Sequence, residues 1–121
     1  MRSAFVHEAR LELSDGADHG APGAAITVAL CGHWEHEGSC RWPHHTAVQT
    51  QDDTRITVRT VFASDPSDEA VVRAGIGGAL RGGHLDGPTG SSDWRVLSDG
   101  PAEPGPEESM QASRWISQGQ G

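Results

Sequence analysis

The sequence predicts an α+β domain of two layers, in which a three- to four-stranded, mainly antiparallel sheet is covered on one face by one main helix. Several segments alternate between apolar and polar residues, which is the period of a half-buried strand. One later segment has the spacing of an amphipathic helix. The 16 glycines and 7 prolines among 121 residues indicate long irregular connections between these elements.

The first and third predicted strands have the clearest alternation. The first runs from Phe5 to Leu13, and its apolar face also carries His7. The third runs from Arg55 to Ala63, and the residues that share its apolar face are Ile56, Val58, Thr60 and Phe62. Both patterns are typical of an antiparallel sheet with one covered face.

Two further strands are predicted from weaker patterns. Ala24 to Trp34 is an apolar run in which every second residue shares a face, and Trp94 to Leu97 is a short strand candidate.

The covering helix is predicted to begin near Asp65. Asp65 is the expected N-cap, and Pro66 suits the first helical position. The expected core-facing stripe consists of Val72, Ile76, Ala79 and Leu80. Two consecutive glycines at 82 and 83 are expected to end the helix.

Residues 1–100 are expected to form the single α+β domain. Residues 101–121 are expected to be a Pro/Gly-rich linker followed by a tail or a short helix over Ser109 to Ser117.

Composition excludes several classes of partner. The formal net charge is −8, and the nine basic residues are scattered arginines, which argues against nucleic-acid binding. No apolar run is long enough to predict a membrane span. Two cysteines and an N-terminus without the apolar core of a signal peptide predict a cytoplasmic protein with reduced thiols.

The candidate functional residues lie in the segment from Cys31 to His45. It holds most of the histidines and cysteines of the chain, which are the ligands that zinc prefers. The candidate metal ligands are Cys31, His33, His36, Cys40 and His44. Their spacing matches no zinc-finger pattern.

A predicted β-hairpin in this segment indicates which of the candidate ligands would lie close together. If a two-residue turn at Glu37–Gly38 closed a hairpin, Cys31 would oppose His44 and both would share a face with His33. Those three side chains would then lie within about 5–8 Å of one another. Cys40 would lie roughly 13 Å along the strand from His44, which makes it the doubtful ligand.

Two other interpretations stay open beside a zinc site. The segment is also explained as a structural loop without a ligand. Alternatively, the loop from Trp34 to His45 serves a non-catalytic protein-interaction or self-associating module, with Trp34 and Trp42 beside Arg41 as anchors for a protein partner or a second copy in a homodimer.

An enzyme is the least favoured class. His33-Trp34-Glu35 has the H-x-E form of zinc deaminases, but the P-C-x-x-C motif that those enzymes require is missing. Cys40, beside Arg41 and near His44, is a candidate redox-sensitive nucleophile, and few acid–base groups lie outside this segment.

Overall fold

The computed structural model describes residues 2–31, 42–87 and 90–119. In chain order the elements are β1 (Ser3–Leu13), α1 (Ala21–Cys31), β2 (His44–Thr50), β3 (Arg55–Ser64), a 3₁₀ turn (Pro66–Asp68), α2 (Glu69–Gly82), β4 (His84–Gly87), β5 (Gly90–Ala102) and α3 (Pro106–Gly119). The strands form one five-stranded sheet in the order β2-β3-β1-β5-β4, and every neighbouring pair is antiparallel.

The order of the elements explains the topology. The units β1-α1-β2 and β3-α2-β5 each join two strands that another strand separates in the sheet, which is the split β-α-β, ferredoxin-like arrangement. Strand β4 forms a hairpin with the start of β5, and α3 follows the sheet. The α+β class and the antiparallel sheet are confirmed, with one strand more than the upper limit of the prediction.

The alternation predicted for β1 and β3 is confirmed. The two strands pair in a regular register that sets Phe5 opposite Phe62 and Leu11 opposite Ile56. The two phenylalanine rings lie 5.4 Å apart between centroids. These side chains belong to the face that we call the front face, and the main core lies on it.

The prediction of one covering helix is wrong, because three helices pack on the sheet. Helices α1 and α2 cover the front face and contribute Ile26, Leu30, Val72, Ile76 and Leu80 to the main core. Helix α3 lies on the opposite side, the back face, and contributes Ala112 to a smaller cluster with Val6 and Val61. The molecule therefore has three layers instead of two.

The strand predicted over Ala24 to Trp34 is wrong where the structure describes it. Residues Ala21–Cys31 form α1, a helix without a charged side chain. Ile26 and Leu30, four residues apart, are both buried, as expected of neighbours on one helix face. A short run that is apolar throughout satisfies the pattern of a buried strand and of a buried helix, so its periodicity does not distinguish them.

The predicted stripe of α2 is confirmed, whereas its start differs. Val72, Ile76 and Leu80 are buried. Asp65 precedes the 3₁₀ turn and makes no side-chain capping hydrogen bond, and α2 itself begins at Glu69. The helix ends at Gly82, and the capping residue Gly83 has a left-handed φ of 68°. A Cβ at Gly83 would lie 2.8 Å from the Trp94 carbonyl oxygen.

The strand predicted at Trp94 to Leu97 is part of the longer β5, which extends to Ala102 and includes the first two residues of the predicted linker. The short helix predicted near the C-terminus is α3, which runs over Pro106–Gly119. The division into a domain of residues 1–100 and a separate tail stays a prediction.

Arg59 of β3 joins α3 to the back face. Its guanidinium donates to both carboxylate oxygens of Glu108 at 2.8 and 3.0 Å, to Glu8 at 2.6 Å and to the Glu103 carbonyl at 2.8 Å. Glu108 also accepts from the backbone N–H of Gly105 at 2.8 Å, which caps the start of α3. The Glu108 carboxylate thus both caps the N-terminus of α3 and connects this helix to the sheet through Arg59.

None of the helices in the described ranges combines the length and the apolar character that a membrane crossing requires.

Candidate functional site

His44, one of the predicted metal ligands, is the first residue of β2 and its ring is held at both nitrogens. Nδ1 lies 3.2 Å from the carbonyl oxygen of Trp42, and Nε2 lies 3.1 Å from the hydroxyl of Thr27 on α1. A carbonyl only accepts, so Nδ1 carries a hydrogen, and in the neutral ring Nε2 presents its lone pair to Thr27. The imidazole is therefore aimed from β2 toward α1.

Cys31, the second described ligand candidate, is the last residue of α1. It comes one helical turn after Thr27, and positions four apart lie one above the other on a helix. The fold thus brings the backbone position of Cys31 close to the contact between His44 and α1. His33, His36 and Cys40 lie outside the described residues, as do Trp34 and the predicted turn at Glu37–Gly38.

The predicted strand pairing of Cys31 with His44 is wrong, whereas the rest of the predicted hairpin lies outside the described residues. Cys31 ends a helix, and β2 pairs with β3, where His44 lies opposite Phe62. The distances expected from a Cys31–His44 hairpin pair therefore do not apply. Within residues 2–31, 42–87 and 90–119, no group of three or more His, Cys, Asp or Glu side chains is arranged to hold a metal ion.

A buried histidine forms a second polar centre under α2. His7 lies on the front face of β1 with 5% of its surface exposed, and its Nε2 lies 2.8 Å from Asp99 of β5. Its Nδ1 is 3.1 Å from the guanidinium of Arg73 on α2. A guanidinium has no acceptor, so Nδ1 accepts, and Nε2 carries the hydrogen that is donated to Asp99. Both ring nitrogens are thus used in structural contacts.

Arg73 connects this centre to the aromatic core. The same guanidinium donates to the Val6 carbonyl at 2.9 Å and to Glu69 at 2.7 Å. It also lies over the rings of Phe5 and Phe62, at 5.9 and 5.4 Å from their centroids. Its charge is therefore compensated on every side that packs against the sheet.

Thr60 adds an unsatisfied polar atom to the same face. It is paired with His7 across β1 and β3 and with Thr46 across β2 and β3, and it is 1% exposed. Its hydroxyl oxygen has no hydrogen-bond partner in the described structure. Because burying a hydroxyl without a hydrogen-bond partner costs free energy, the Thr60 hydroxyl is expected to lower the stability of the fold.

A third group of titratable side chains lies on the β4–β5 hairpin and is exposed to solvent. His84 has its Nδ1 2.6 Å from Asp93 and its Nε2 2.9 Å from Asp86. The hydrogen bond to Asp93, followed by the one to Asp86, raises the pKa of His84, because both nitrogens can donate only in the protonated ring. This arrangement is an exposed ion pair within the hairpin.

A cavity of about 240 Å³ lies between the start of α1 and the β4–β5 hairpin. Its lining includes Asp18, Ala21, Leu85 and Ser92. The backbone N–H of Asp18 donates to the Ser92 hydroxyl at 3.0 Å, and the Asp18 carboxylate accepts from Gly20 at 2.9 Å. These polar groups are engaged within the chain, which is unlike the convergent polar groups of a ligand site.

Sequence reasoning placed His7 on the correct face of β1 but did not identify its partners. Asp99 and Arg73 are 92 and 66 residues away in the chain, and no local spacing connects them to His7. The only signal was a histidine on an apolar strand face, which is more often a structural residue than a functional one.

Comparisons with protein-family models, with curated proteins and with solved structures gave no match to this chain. Its function is therefore argued from its own residues.

Proposed function

We propose that the chain is a zinc-type metal-binding module in which Cys31 and His44 are two of the ligands. The segment between them supplies the other candidates, His33, Cys40 and His36. The observation that supports the proposal is the orientation of His44, whose Nε2 faces α1 one helical turn before Cys31.

The contact to Trp42 suits a metal-binding histidine. Ligating histidines usually donate their second ring N–H to a carbonyl or carboxylate, which fixes the tautomer and the direction of the lone pair. His44 makes that hydrogen bond through Nδ1 and leaves Nε2 as the ligating atom. A metal bound at Nε2 would require the Thr27 side chain to turn away, because its hydroxyl oxygen lies 3.1 Å from that nitrogen.

The ligand types determine what the ion does. Two thiolates and two imidazoles around one ion make a closed, structural or sensory site, because no position is left for water or substrate. Cys31 and Cys40 lose their thiol protons on binding, so affinity falls as the pH is lowered.

Metal content tests the proposal directly. The protein, purified without added metal, is expected to bind about one zinc ion per chain in elemental analysis and in titration with zinc. Cys31→Ser and His44→Ala are each expected to weaken binding about tenfold or more. His45→Ala is the matched control, because His45 is the adjacent, exposed histidine of β2 and points to the back face.

Thr27→Val serves as a second control. It removes the hydroxyl that accompanies Nε2 and leaves the proposed ligands intact, so zinc affinity should stay the same or rise. A metal ratio near zero after titration, or binding that Cys31→Ser and His44→Ala leave unchanged, contradicts the metal site.

A non-catalytic protein-interaction module is the second candidate function. Trp42, the described anchor of the loop from Trp34 to His45, packs against the main core, so its ring is already partly used within the chain. The feature that favours an interaction module is instead strand β2, which is exposed at the edge of the sheet.

A further inference from the structure

Strand β2 directs a complete set of backbone hydrogen-bonding groups away from the sheet. The Ala63 N–H donates to the Pro43 carbonyl at 3.0 Å, and the Gln51 N–H donates to the Arg55 carbonyl at 2.9 Å. These two bonds show that the odd-numbered residues of β2 face β3 with their backbone groups. In an antiparallel ladder, every second residue faces the other way. The N–H and C=O groups of Thr46, Val48 and Thr50 therefore point away from β3, and no strand in residues 2–31, 42–87 and 90–119 pairs with them.

Within the described strand His44–Thr50, this edge has none of the sequence features that usually prevent pairing. Its sequence HHTAVQT has no proline and no formally charged side chain, its register with β3 has no shift, and Val48 is 39% exposed. Long, regular, uncharged edges are templates for another strand.

The opposite edge is protected. Strand β4 is only four residues long and carries Asp86. The rest of β5 contains a register shift opposite Arg10 and Leu11, and it carries Arg95, Asp99 and Pro101. The contrast singles out β2 as the edge adapted for pairing.

We propose that β2 pairs antiparallel with β2 of a second copy of this chain, about a two-fold axis at Ala47, to give one continuous sheet. This inference names the partner for the second candidate function and is independent of the metal site.

The register is self-complementary. With Ala47 opposite its own copy, His44 lies opposite Thr50 and Thr46 lies opposite Val48, so the outward-facing residues meet one another. The two Thr46–Val48 pairs form about four hydrogen bonds, two for each hydrogen-bonded pair. The central alanines form a close pair, with Cα atoms about 4.5 Å apart, which their small side chains allow.

Charge favours the antiparallel, symmetric arrangement. The carboxylate of Asp52, in the turn after β2, accepts hydrogen bonds from the backbone N–H groups of Thr54 and Arg55, which lower its pKa and keep it charged. In the proposed dimer the two Asp52 residues lie roughly 34 Å apart at about 3.4 Å per residue, well beyond a Debye length of about 8 Å. A parallel pairing would put them side by side.

The helix layer is compatible with this pairing. Paired residues of a sheet share a face, so the two copies of α1 lie on the same side of the new sheet. Helix α1 carries no charged side chain, and it contacts β2 through Thr27 and Gly23. Two such helices meet without like-charge repulsion.

Sedimentation velocity in the presence of a chelator tests the dimer separately from metal binding. The wild-type protein is expected to dimerise with increasing concentration. Val48→Pro is expected to raise the dimer Kd by about tenfold or more, because the outward Val48 N–H is lost while the ladder to β3 stays complete. Leu97→Lys, at an exposed position on the opposite side of the sheet, should leave the Kd unchanged.

Charged substitutions at Ala47 provide a second test of the dimer, which applies even if Val48→Pro disturbs the fold. Ala47→Lys and Ala47→Glu each place like charges against each other at the two-fold axis and should give monomers, whereas their equimolar mixture should dimerise. A wild-type chain that is monomeric at its highest soluble concentration overturns the proposal. So does a dimer that persists in Val48→Pro and in both Ala47 variants.

Discussion

The buried polar residues under α2 differ in how well they are satisfied. His7 and Arg73 use their polar atoms in hydrogen bonds that link β1, β5 and α2. Thr60, the direct neighbour of His7 on β3, has a hydroxyl without a hydrogen-bond partner among the described residues. The hydrogen bonds of His7 and Arg73 therefore stabilise the packing, whereas the buried Thr60 hydroxyl destabilises it.

A pair of threonine substitutions on β3 measures this difference. Thr60→Val is expected to raise the free energy of unfolding by roughly 1 kcal/mol, because it removes a buried hydroxyl that has no partner. Thr57→Val is the matched control and should lower the free energy of unfolding by about 1 kcal/mol. It removes a hydroxyl that donates to the Gln51 side chain at 2.8 Å.

Urea unfolding of the two variants and the wild type provides the measurement. Equal losses of stability in both variants would show that Thr60 has a hydrogen-bond partner in solution.

For individual residues, the sequence predicted which face of a strand a side chain lies on, but not which side chains contact each other. The alternation of β1 and β3 predicted which side chains point to the core, because the strand period is a local property. The meeting of His7 with Arg73 and Asp99 depends on the sheet order and on the placement of α2. The contact of His44 with Thr27 likewise results from the packing of α1 on β2, which the predicted hairpin did not contain.

Among the elements, α1 shows where sequence periodicity failed. It is short, uncharged and apolar, and its β-branched Ile26, Thr27 and Val28 favour a strand by propensity. Pro22 near its start is compatible with a helix and was the one local signal for it. The helix is fixed by tertiary packing, which places Ile26 and Leu30 in the core beside α2.

Strand β2 was not predicted, because its sequence has too few apolar residues to show a strand pattern. All of its residues are half-buried or exposed, and most of its side chains are polar, so its sequence does not alternate between apolar and polar residues. Side-chain contacts with α1 hold it instead, through His44 to Thr27 and through the close approach of Gly23 to Thr46.

Glycine substitutions in the two front-face helices test the packing of α1 on β2. A Cβ at Gly23 would lie 2.8 Å from the Thr46 hydroxyl, so Gly23→Ala is expected to destabilise the protein by about 1 kcal/mol or more. Gly78→Ala in α2 is the control and should stabilise by up to about 1 kcal/mol, because its Cβ meets open space and alanine favours a helix.

Thermal unfolding of both variants distinguishes the two effects. A stabilising Gly23→Ala would mean that α1 lies farther from β2 than the structure shows.

For the molecule as a whole, the polar contacts that attach α3 to the sheet meet at one carboxylate, beside the apolar packing of Ala112. The hydrogen bonds from Arg59, followed by the one from the Gly105 backbone, lower the pKa of Glu108. A carboxylate whose pKa is lowered by folding stabilises the protein above its unfolded pKa, and this contribution is lost as the pH falls through the folded pKa.

Acid titration of stability tests this attachment. At neutral pH, Glu108→Gln is expected to lower the free energy of unfolding by roughly 1 kcal/mol, because the charged partner of Arg59 is lost. The difference from wild type should shrink as the pH falls below the ordinary range of a glutamate. Glu107→Gln, at the exposed neighbouring position, is the control and should show little effect at any pH.

Urea denaturation at a series of pH values gives the comparison. A difference between wild type and Glu108→Gln that does not vary with pH would show that the Arg59 contact is not made by an ionised carboxylate.

The central position of β1 has a consequence for synthesis on the ribosome. β1 is the first strand of the described chain, and it lies between β3 and β5, with Val6 paired to Ala102. Its alternating apolar side chains leave the exit tunnel long before either partner does. The nascent chain must therefore carry β1 with both edges open until β3 emerges, and the sheet closes only when β5 is made. This late closure of distant contacts predicts slow folding and an interval in which binding by a chaperone would help.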